Sequence, residues 1–325
     1  MPTIDLYGRD GQCQIMDSDR PFLGILCMLA FCILAPLGDV IAKLIGDSVP
    51  LMLVLIARFG LQFCLLIPVM LVVGIAFTLP RQIAWWMVLR SLLHIIGVGT
   101  MYLALRYLPI ADALAIAFVM PFIMLILGKY VLDEAVGPRR LTACIIGFGG
   151  TLLVIQPSFV AVGAAAFLPL IVAVVFSIFM LITRIIAKSV DPIALQTHSG
   201  AIGTLTLIAI YALVPAGLHP DFGMVMPNLT LGLMLVAVGM LGTLAHLMMT
   251  ISLRYAPSAT VAPMQYLEIP IATILGWFVF HQLPNGLAQL GIIITIGAGL
   301  FIILMEHRLA RSVDPASTAT KPDGN

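Results

Sequence analysis

A carboxylate, an amide and two prolines lie close together in one long apolar stretch, within residues 263–270. Gln265 and Glu268 are three residues apart, so a helix places both side chains on one face. Pro263 and Pro270 each remove a backbone N–H and crowd the preceding turn, which predicts a bend or a break in the helix. Glu268 is therefore a candidate for binding a cationic group or for carrying a proton. The alternative is a structural pair with a buried arginine.

Other ionisable side chains also lie inside apolar stretches, where a charge is costly and is often functional. Asp39 and Lys43 are four residues apart and can pair on one helix face. Asp39 and Arg58 can meet if their two helices are antiparallel neighbours. They would then form a structural ion pair or an outer gate, in which Arg58 could face an anionic substrate. His94, four residues after Arg90, is expected near mid-membrane as a packed core histidine or as a group that exchanges protons or hydrogen bonds.

The composition indicates the class of protein that must position these groups. Of 325 residues, 61% are hydrophobic and 10% are charged, whereas soluble domains average about 45–50% apolar and about 25% charged residues. The mean hydropathy of +1.13 agrees with this contrast, so we expect a polytopic membrane protein. With a net charge of +1, the chain lacks the overall positive charge that would attract nucleic acid. The five cysteines show no disulfide or metal-ligand spacing, and the sequence predicts no cofactor.

Windows of about 20 apolar residues, the length needed to cross a bilayer, predict an all-α membrane protein with ten transmembrane helices. The predicted spans are residues 21–44, 50–77, 83–105, 111–132, 141–156, 162–187, 193–214, 229–251, 258–280 and 287–305. Residues 1–20 are expected to form a cytoplasmic tail, and residues 307–325 a disordered cytoplasmic tail.

The distribution of lysine and arginine between the loops predicts the orientation. Arg81, Arg139 and Arg140 fall on one side of the membrane, whereas the opposite side holds little beyond Lys43 and Arg106. Positively charged loops are retained in the cytoplasm. We therefore expect both termini to be cytoplasmic.

The sequence contains an internal repeat. A shift of 148 residues carries the motif Arg-Tyr-x-Pro-x-Ala that begins at Arg106 onto the same motif beginning at Arg254. The first repeat is expected in residues 21–156 and the second in residues 162–306. Each repeat has five spans, an odd number, so the two repeats enter the membrane in opposite directions. Pro121 falls within one residue of the position related to Pro270. Such paired helix interruptions in inverted repeats are typical of a transporter's substrate site; a structural duplication without transport is the alternative.

The sequence resembles the drug/metabolite transporter superfamily, specifically the ten-helix members that contain two EamA-like repeats. The resemblance rests on residues 104–157 in the first half and 253–285 in the second, and it covers most of residues 21–305. It implies transport of a small metabolite across a bacterial inner membrane by alternating access, with both termini in the cytoplasm. The compatible substrates are riboflavin or another vitamin, a nucleoside-like compound such as S-adenosylmethionine, an amino acid derivative or a drug.

One departure from the family pattern lies at the end of the ninth span. Family members usually have Gly-Glu before a proline there, whereas this chain has His281-Gln282; the first half keeps an acidic pair at Asp133 and Glu134. The alternative classes are a multi-span membrane enzyme and a non-transporting scaffold. The first requires clustered catalytic groups and the second a sizeable soluble domain, and the sequence offers neither. Direction of transport, coupling ion (a proton is one candidate) and oligomeric state are not defined by the sequence.

Overall fold

The computed structural model describes residues 20–133, 137–215, 218–282 and 286–312, and the regular structure within these ranges is entirely helical. The α-helices are α1 (Pro21–Ile45), α2 (Leu51–Val73), α3 (Arg81–Tyr107), α4 (Ile110–Ala117), α5 (Met120–Val131), α6 (Pro138–Val162), α7 (Leu168–Ala187), α8 (Pro192–Leu213), α9 (Leu229–Tyr255), α10 (Ser258–Val261), α11 (Glu268–Phe280) and α12 (Gly286–Ser312). Short 3-10 helices cover Gly163–Phe167, Pro220–Phe222 and Ala262–Leu267. A chain this apolar must satisfy its backbone polar groups within each span, and helices do so.

These helices form the ten predicted spans, which confirms the predicted all-α membrane fold. Seven helical segments in the described ranges are long and apolar enough to cross a membrane, and three shorter apolar segments complete the ten. Several boundaries differ from the prediction. The second span ends at Val73 instead of Phe77, the fifth extends to Val162 instead of Gln156, and the eighth and tenth extend to Tyr255 and Ser312. The sixth span begins with the 3-10 helix Gly163–Phe167.

The fourth and ninth spans are both interrupted. The fourth consists of α4 and α5, which are separated at Phe118 and Val119, and Pro121 lies in the first turn of α5. A proline is tolerated there because the N–H groups of the first turn have no acceptor within the helix, so the missing N–H costs no hydrogen bond. The ninth consists of α10, the 3-10 helix Ala262–Leu267 that contains Pro263, and α11, with Pro270 in its first turn. The two interruptions therefore fall at related places in the two repeats.

The most extensive helix packing joins one repeat to the other. The pairs are α1 with α9, α2 with α8, α3 with α7, and α6 with α12. Glycines allow two of these contacts to be close. A Cβ atom on Gly200 of α8 would lie 2.7 Å from the backbone nitrogen of Phe63, and one on Gly150 of α6 would lie 2.7 Å from the carbonyl oxygen of Gly291. Small residues at such contacts let helix backbones approach each other in the membrane.

The ends of the interrupted spans share an unusual backbone conformation. Asp133 and His281 both have φ of 53°, and within the described ranges they are the non-glycine residues with positive φ. The 148-residue shift relates these two positions. His281 is the left-handed cap of α11, a conformation that glycine adopts most easily. A histidine thus takes a backbone conformation that favours glycine.

Candidate functional site

A cavity of about 90 Å³ lies between the two repeats. Helices α1 to α4 supply one part of its wall, and α7, α9 and the start of α11 supply the other. Its polar lining consists of Asp39, Arg58, Tyr102, His246 and Glu268, and its aromatic lining includes Phe31, Phe118 and Phe176. The sequence did not single out Phe31, Phe118 or Phe176, because apolar spans contain many similar residues.

Glu268 is placed in the cavity wall by the interruption of the ninth span. It is the first residue of α11, directly after the 3-10 helix, and it is only 5% exposed. Its carboxylate accepts no hydrogen bond from any residue that the structure describes. Gln265 does not share this wall. It is fully buried, and its amide nitrogen lies 3.3 Å from the sulfur of Met180. The tighter winding of the 3-10 helix changes the face that the α-helical spacing predicted.

Arg58 reaches the cavity from α2. It is 1% exposed, and its Nη1 donates to Oε1 of Gln62 at 2.9 Å, whereas its Nη2 has no hydrogen-bond partner. Gly242 of α9 lies against the guanidinium: a Cβ atom there would be 2.0 Å from Nε of Arg58. The glycine therefore makes room for the arginine.

Asp39 lines the same cavity from α1. It forms no ion pair with Arg58 or with Lys43, although the structure describes all three side chains. Lys43 instead donates to the carbonyl oxygens of Leu105 and Leu108, both at 2.6 Å. The predicted pairing of Asp39 with Lys43 is thus replaced by a contact between α1 and the end of α3.

His94 lies behind the cavity wall, in contact with His246. The two imidazole centroids are 4.2 Å apart, and His246 itself lines the cavity. His94 is fully buried between Phe59 at 4.9 Å and Phe179 at 4.7 Å, and neither of its ring nitrogens has a hydrogen-bond partner in the described structure. The position fits the packed core histidine better than a group that touches substrate directly.

A second buried arginine, Arg90, lies deeper in the bundle. Its Nε donates to the hydroxyl of Thr183 at 2.8 Å, its Nη1 to Ser199, and its Nη2 to Thr250 at 3.5 Å. The guanidinium also lies 4.6 Å from the ring centroid of Phe179. Arg90 thus joins α3 to three helices of the second repeat without a carboxylate partner.

Two glutamines connect the two arginines. Gln62, which accepts from Arg58, donates to Oε1 of Gln196 at 2.9 Å, and Gln196 donates to the hydroxyl of Thr250 at 2.6 Å. Thr250 in turn accepts from Arg90. The sequence signal for this chain of hydrogen bonds is the pair of isolated amides, Gln62 and Gln196, within apolar spans.

An interrupted pair of helices and a charged, aromatic cavity between two inverted repeats define a membrane transporter. The chain belongs to the EamA-like transporter family, whose sequence model matches residues 22–156 and 163–305. It is a multi-pass membrane protein of a family of small-metabolite transporters.

Named relatives are similar over most of their length. A riboflavin transporter from Rhizobium johnstonii is 29% identical over 78% of this chain and 81% of its own. A riboflavin transporter from Vibrio cholerae is 27% identical, with 90% and 96% covered. An S-adenosylmethionine uptake transporter from Rickettsia bellii is 24% identical, with 88% and 95% covered. A protein of known crystal structure superposes with a TM-score of 0.66 at 18% identity, covering 89% of this chain and 98% of that one, which shows the shared fold.

Proposed function

We propose that this protein is a secondary transporter that moves a heteroaromatic metabolite by alternating access, with Glu268 in its substrate site. The observation that carries the proposal is the cavity between the repeats, which combines Glu268 with aromatic side chains at the interruption of the ninth span. Substrate sites of inverted-repeat transporters lie at the repeat interface, where discontinuous helices expose polar groups. A carboxylate there can bind a cationic group or exchange a coupling proton.

The names of the relatives supply two candidate substrates. Relatives from Rhizobium and Vibrio are named for riboflavin, and one from Rickettsia for S-adenosylmethionine. Both compounds join a flat heteroaromatic ring system to polar groups, which suits a cavity lined by Phe31, Phe118 and Phe176. Relatives named as transporters favour this function over a membrane enzyme or a scaffold.

Uptake into proteoliposomes tests the proposal. The purified full-length protein should accumulate labelled riboflavin or labelled S-adenosylmethionine above the level of protein-free vesicles. Glu268→Gln keeps the shape and removes the charge, and it should reduce uptake at least about tenfold, since a lost hydrogen bond to a charged group costs about 1.5–3 kcal/mol. The matched control is Asp47→Asn, because Asp47 is an exposed carboxylate outside the cavity.

The same variant separates the two roles of Glu268. If the carboxylate binds a substrate group, Glu268→Gln should weaken binding itself. If it carries the coupling proton, binding and substrate exchange should persist, while accumulation driven by a pH gradient is lost. Parent-like binding and accumulation by a correctly inserted Glu268→Gln protein would contradict both roles.

The proposed location is a bacterial inner membrane with both termini in the cytoplasm. Support comes from the lysine and arginine asymmetry of the loops and from the bacterial relatives. A fusion at the C-terminus should be active with a cytoplasmic reporter and inactive with alkaline phosphatase. Phosphatase activity from the full-length fusion would contradict this orientation.

A further inference from the structure

The cavity contains charges of both signs that form no close ion pair with one another in the described structure. The carboxylates of Asp39 and Glu268 accept no hydrogen bond and form no ion pair with any residue that the structure describes. Nη2 of Arg58 is buried and has no hydrogen-bond partner, although Tyr102 and Asp39 lie close enough to interact with the guanidinium electrostatically. All three side chains line the same cavity, and yet they do not pair with one another.

Other cations within the helix bundle have hydrogen-bond partners. Lys43 donates to two backbone carbonyls, Arg90 donates to three hydroxyls, and Arg184 donates to the carbonyl oxygen of Leu253 at 2.6 Å. An unpaired charge inside a membrane protein is costly, and removing its partner from a buried pair costs about 3–5 kcal/mol. The charged groups of the cavity therefore differ from these structural cations in two ways: they line the cavity, and they include polar atoms that have no hydrogen-bond partner in the described structure.

Two neighbouring residues hold Arg58 in position in the cavity wall. Gln62 binds Nη1, and Gly242 leaves just enough room for the guanidinium to lie against α9. A cation and an anion that are held apart in one cavity are matched by a ligand that carries both charges. Preorganised charges bind such a ligand without the cost of rearranging the site.

We infer that the substrate is amphoteric, with an anionic group that binds Arg58 and a cationic group that faces Asp39 and Glu268. This inference rests on the proposed function, namely that the cavity is the transport site. The aromatic side chains of the wall suit the body of such a substrate and attract its cationic group through their ring faces.

Of the two compounds named for the relatives, S-adenosylmethionine meets this description. It carries a carboxylate, an ammonium group and a sulfonium group on an adenosine body, whereas riboflavin is uncharged at neutral pH. An α-amino acid headgroup attached to a heteroaromatic body is thus the chemical class that the cavity selects.

Binding by the purified full-length protein in lipid nanodiscs tests the inference with four probes. They are S-adenosylmethionine, its decarboxylated form, 5′-methylthioadenosine, which lacks both charges of the headgroup, and riboflavin. S-adenosylmethionine should bind about tenfold or more tightly than each of the other three, because each lost charged contact costs about 1.5–3 kcal/mol. This comparison uses the parent protein, so it does not depend on the folding of a variant.

Variants then test which residue binds which charged group of the ligand. In Arg58→Gln, S-adenosylmethionine and its decarboxylated form should bind equally, because the partner of the carboxylate is gone. In Asp39→Asn, S-adenosylmethionine and its decarboxylated form should both bind more weakly. The protein should still prefer S-adenosylmethionine, because Arg58 still binds its carboxylate. Equal or tighter binding of riboflavin by the parent would overturn the inference and leave the proposed function intact. Failure of all four probes to bind or to be transported would overturn the proposed function as well.

Discussion

Arg106 and Arg254 occupy equivalent positions at opposite ends of the bundle, and each donates to a valine carbonyl just before the second span of its own repeat. Nη2 of Arg106 lies 3.4 Å from the oxygen of Val49, and Nη1 of Arg254 lies 3.1 Å from the oxygen of Val190. We name these the Arg106 end and the Arg254 end. The inverted repeats thus form the same arginine–carbonyl contact twice, once at each end of the bundle.

A second cation makes a further contact at each end of the bundle. Lys43 of α1 donates to the carbonyl of Leu105 in α3, and Arg184 of α7 donates to the carbonyl of Leu253 in α9, both at 2.6 Å. The 148-residue shift relates Leu105 to Leu253. The first and third spans of each repeat are therefore tied by a cation at the end where the third span finishes.

At the Arg106 end, a salt bridge also joins the two repeats. Nη1 of Arg106 lies 2.6 Å from Oδ1 of Asp221, which belongs to the 3-10 helix between α8 and α9, and the backbone N–H of Leu51 donates to the same oxygen at 3.4 Å. We expect Asp221→Asn to reduce stability by about 1 kcal/mol or less, because both partners are partly solvated. Thermal unfolding in detergent measures the change. Asp47→Asn, which removes an exposed carboxylate outside this contact, is the control. An equal or larger loss in the control would contradict a role for the salt bridge.

The pH dependence of this salt bridge follows from Asp221, which lies outside the membrane spans. Partial burial would raise the pKa of Asp221, but hydrogen bonds from Arg106 and from the N–H of Leu51 outweigh it and hold the pKa below its ordinary value. A lowered pKa means that the contribution to stability is present above the unfolded-state pKa and is lost as pH falls through the folded-state value. The stability difference between parent and Asp221→Asn should therefore persist at neutral and mildly acidic pH and be lost only in strong acid. A difference that disappears near pH 6 would contradict this assignment.

The contact between Gly242 and Arg58 gives a sharp test of the cavity. In Gly242→Ala the added methyl group would overlap the guanidinium, so Arg58 must move and transport should fall at least about tenfold. Gly232→Ala is the matched control on the same helix, since a Cβ atom there has no neighbour within 4 Å. Uptake and unfolding temperature are measured for both variants. If Gly242→Ala transports like the parent, the position of Arg58 does not determine activity.

Arg90 should matter for stability more than for substrate choice. In Arg90→Lys the charge remains, but the planar fork that bonds Thr183, Ser199 and Thr250 is lost. We expect a destabilisation of at least about 2 kcal/mol, because hydrogen bonds to charged groups contribute about 1.5–3 kcal/mol each. Arg81→Lys, at the exposed start of the same helix, is the control. Equal unfolding temperatures for the two variants would show that this network is not stabilising.

The fold could be predicted from the sequence because lipid leaves few choices to an apolar chain. Span length, the shared motif at Arg106 and Arg254 and the paired prolines indicated ten helices in two repeats. The detailed faces were harder to predict. Gln265 and Glu268 share a face on an α-helix, but the chain between them forms a 3-10 helix, so only Glu268 lines the cavity.

The partners of the buried charges depend on packing between repeats, which spacing along one helix does not reveal. Lys43 is well placed for Asp39 on α1, and yet the end of α3 offers it two carbonyl oxygens instead. Gly242 is one of many glycines in the sequence, and its importance comes only from the guanidinium of Arg58 on another helix.

The hydrogen bonds of Arg90 also constrain how the chain is made. Those that the structure describes go to α7, α8 and α9, which leave the ribosome after α3. A nascent chain that holds only the first five spans therefore carries a guanidinium deep within an apolar helix, without the hydroxyl groups that later satisfy it. We therefore expect the third span to settle only when the second half arrives, so that the first half does not fold on its own during synthesis.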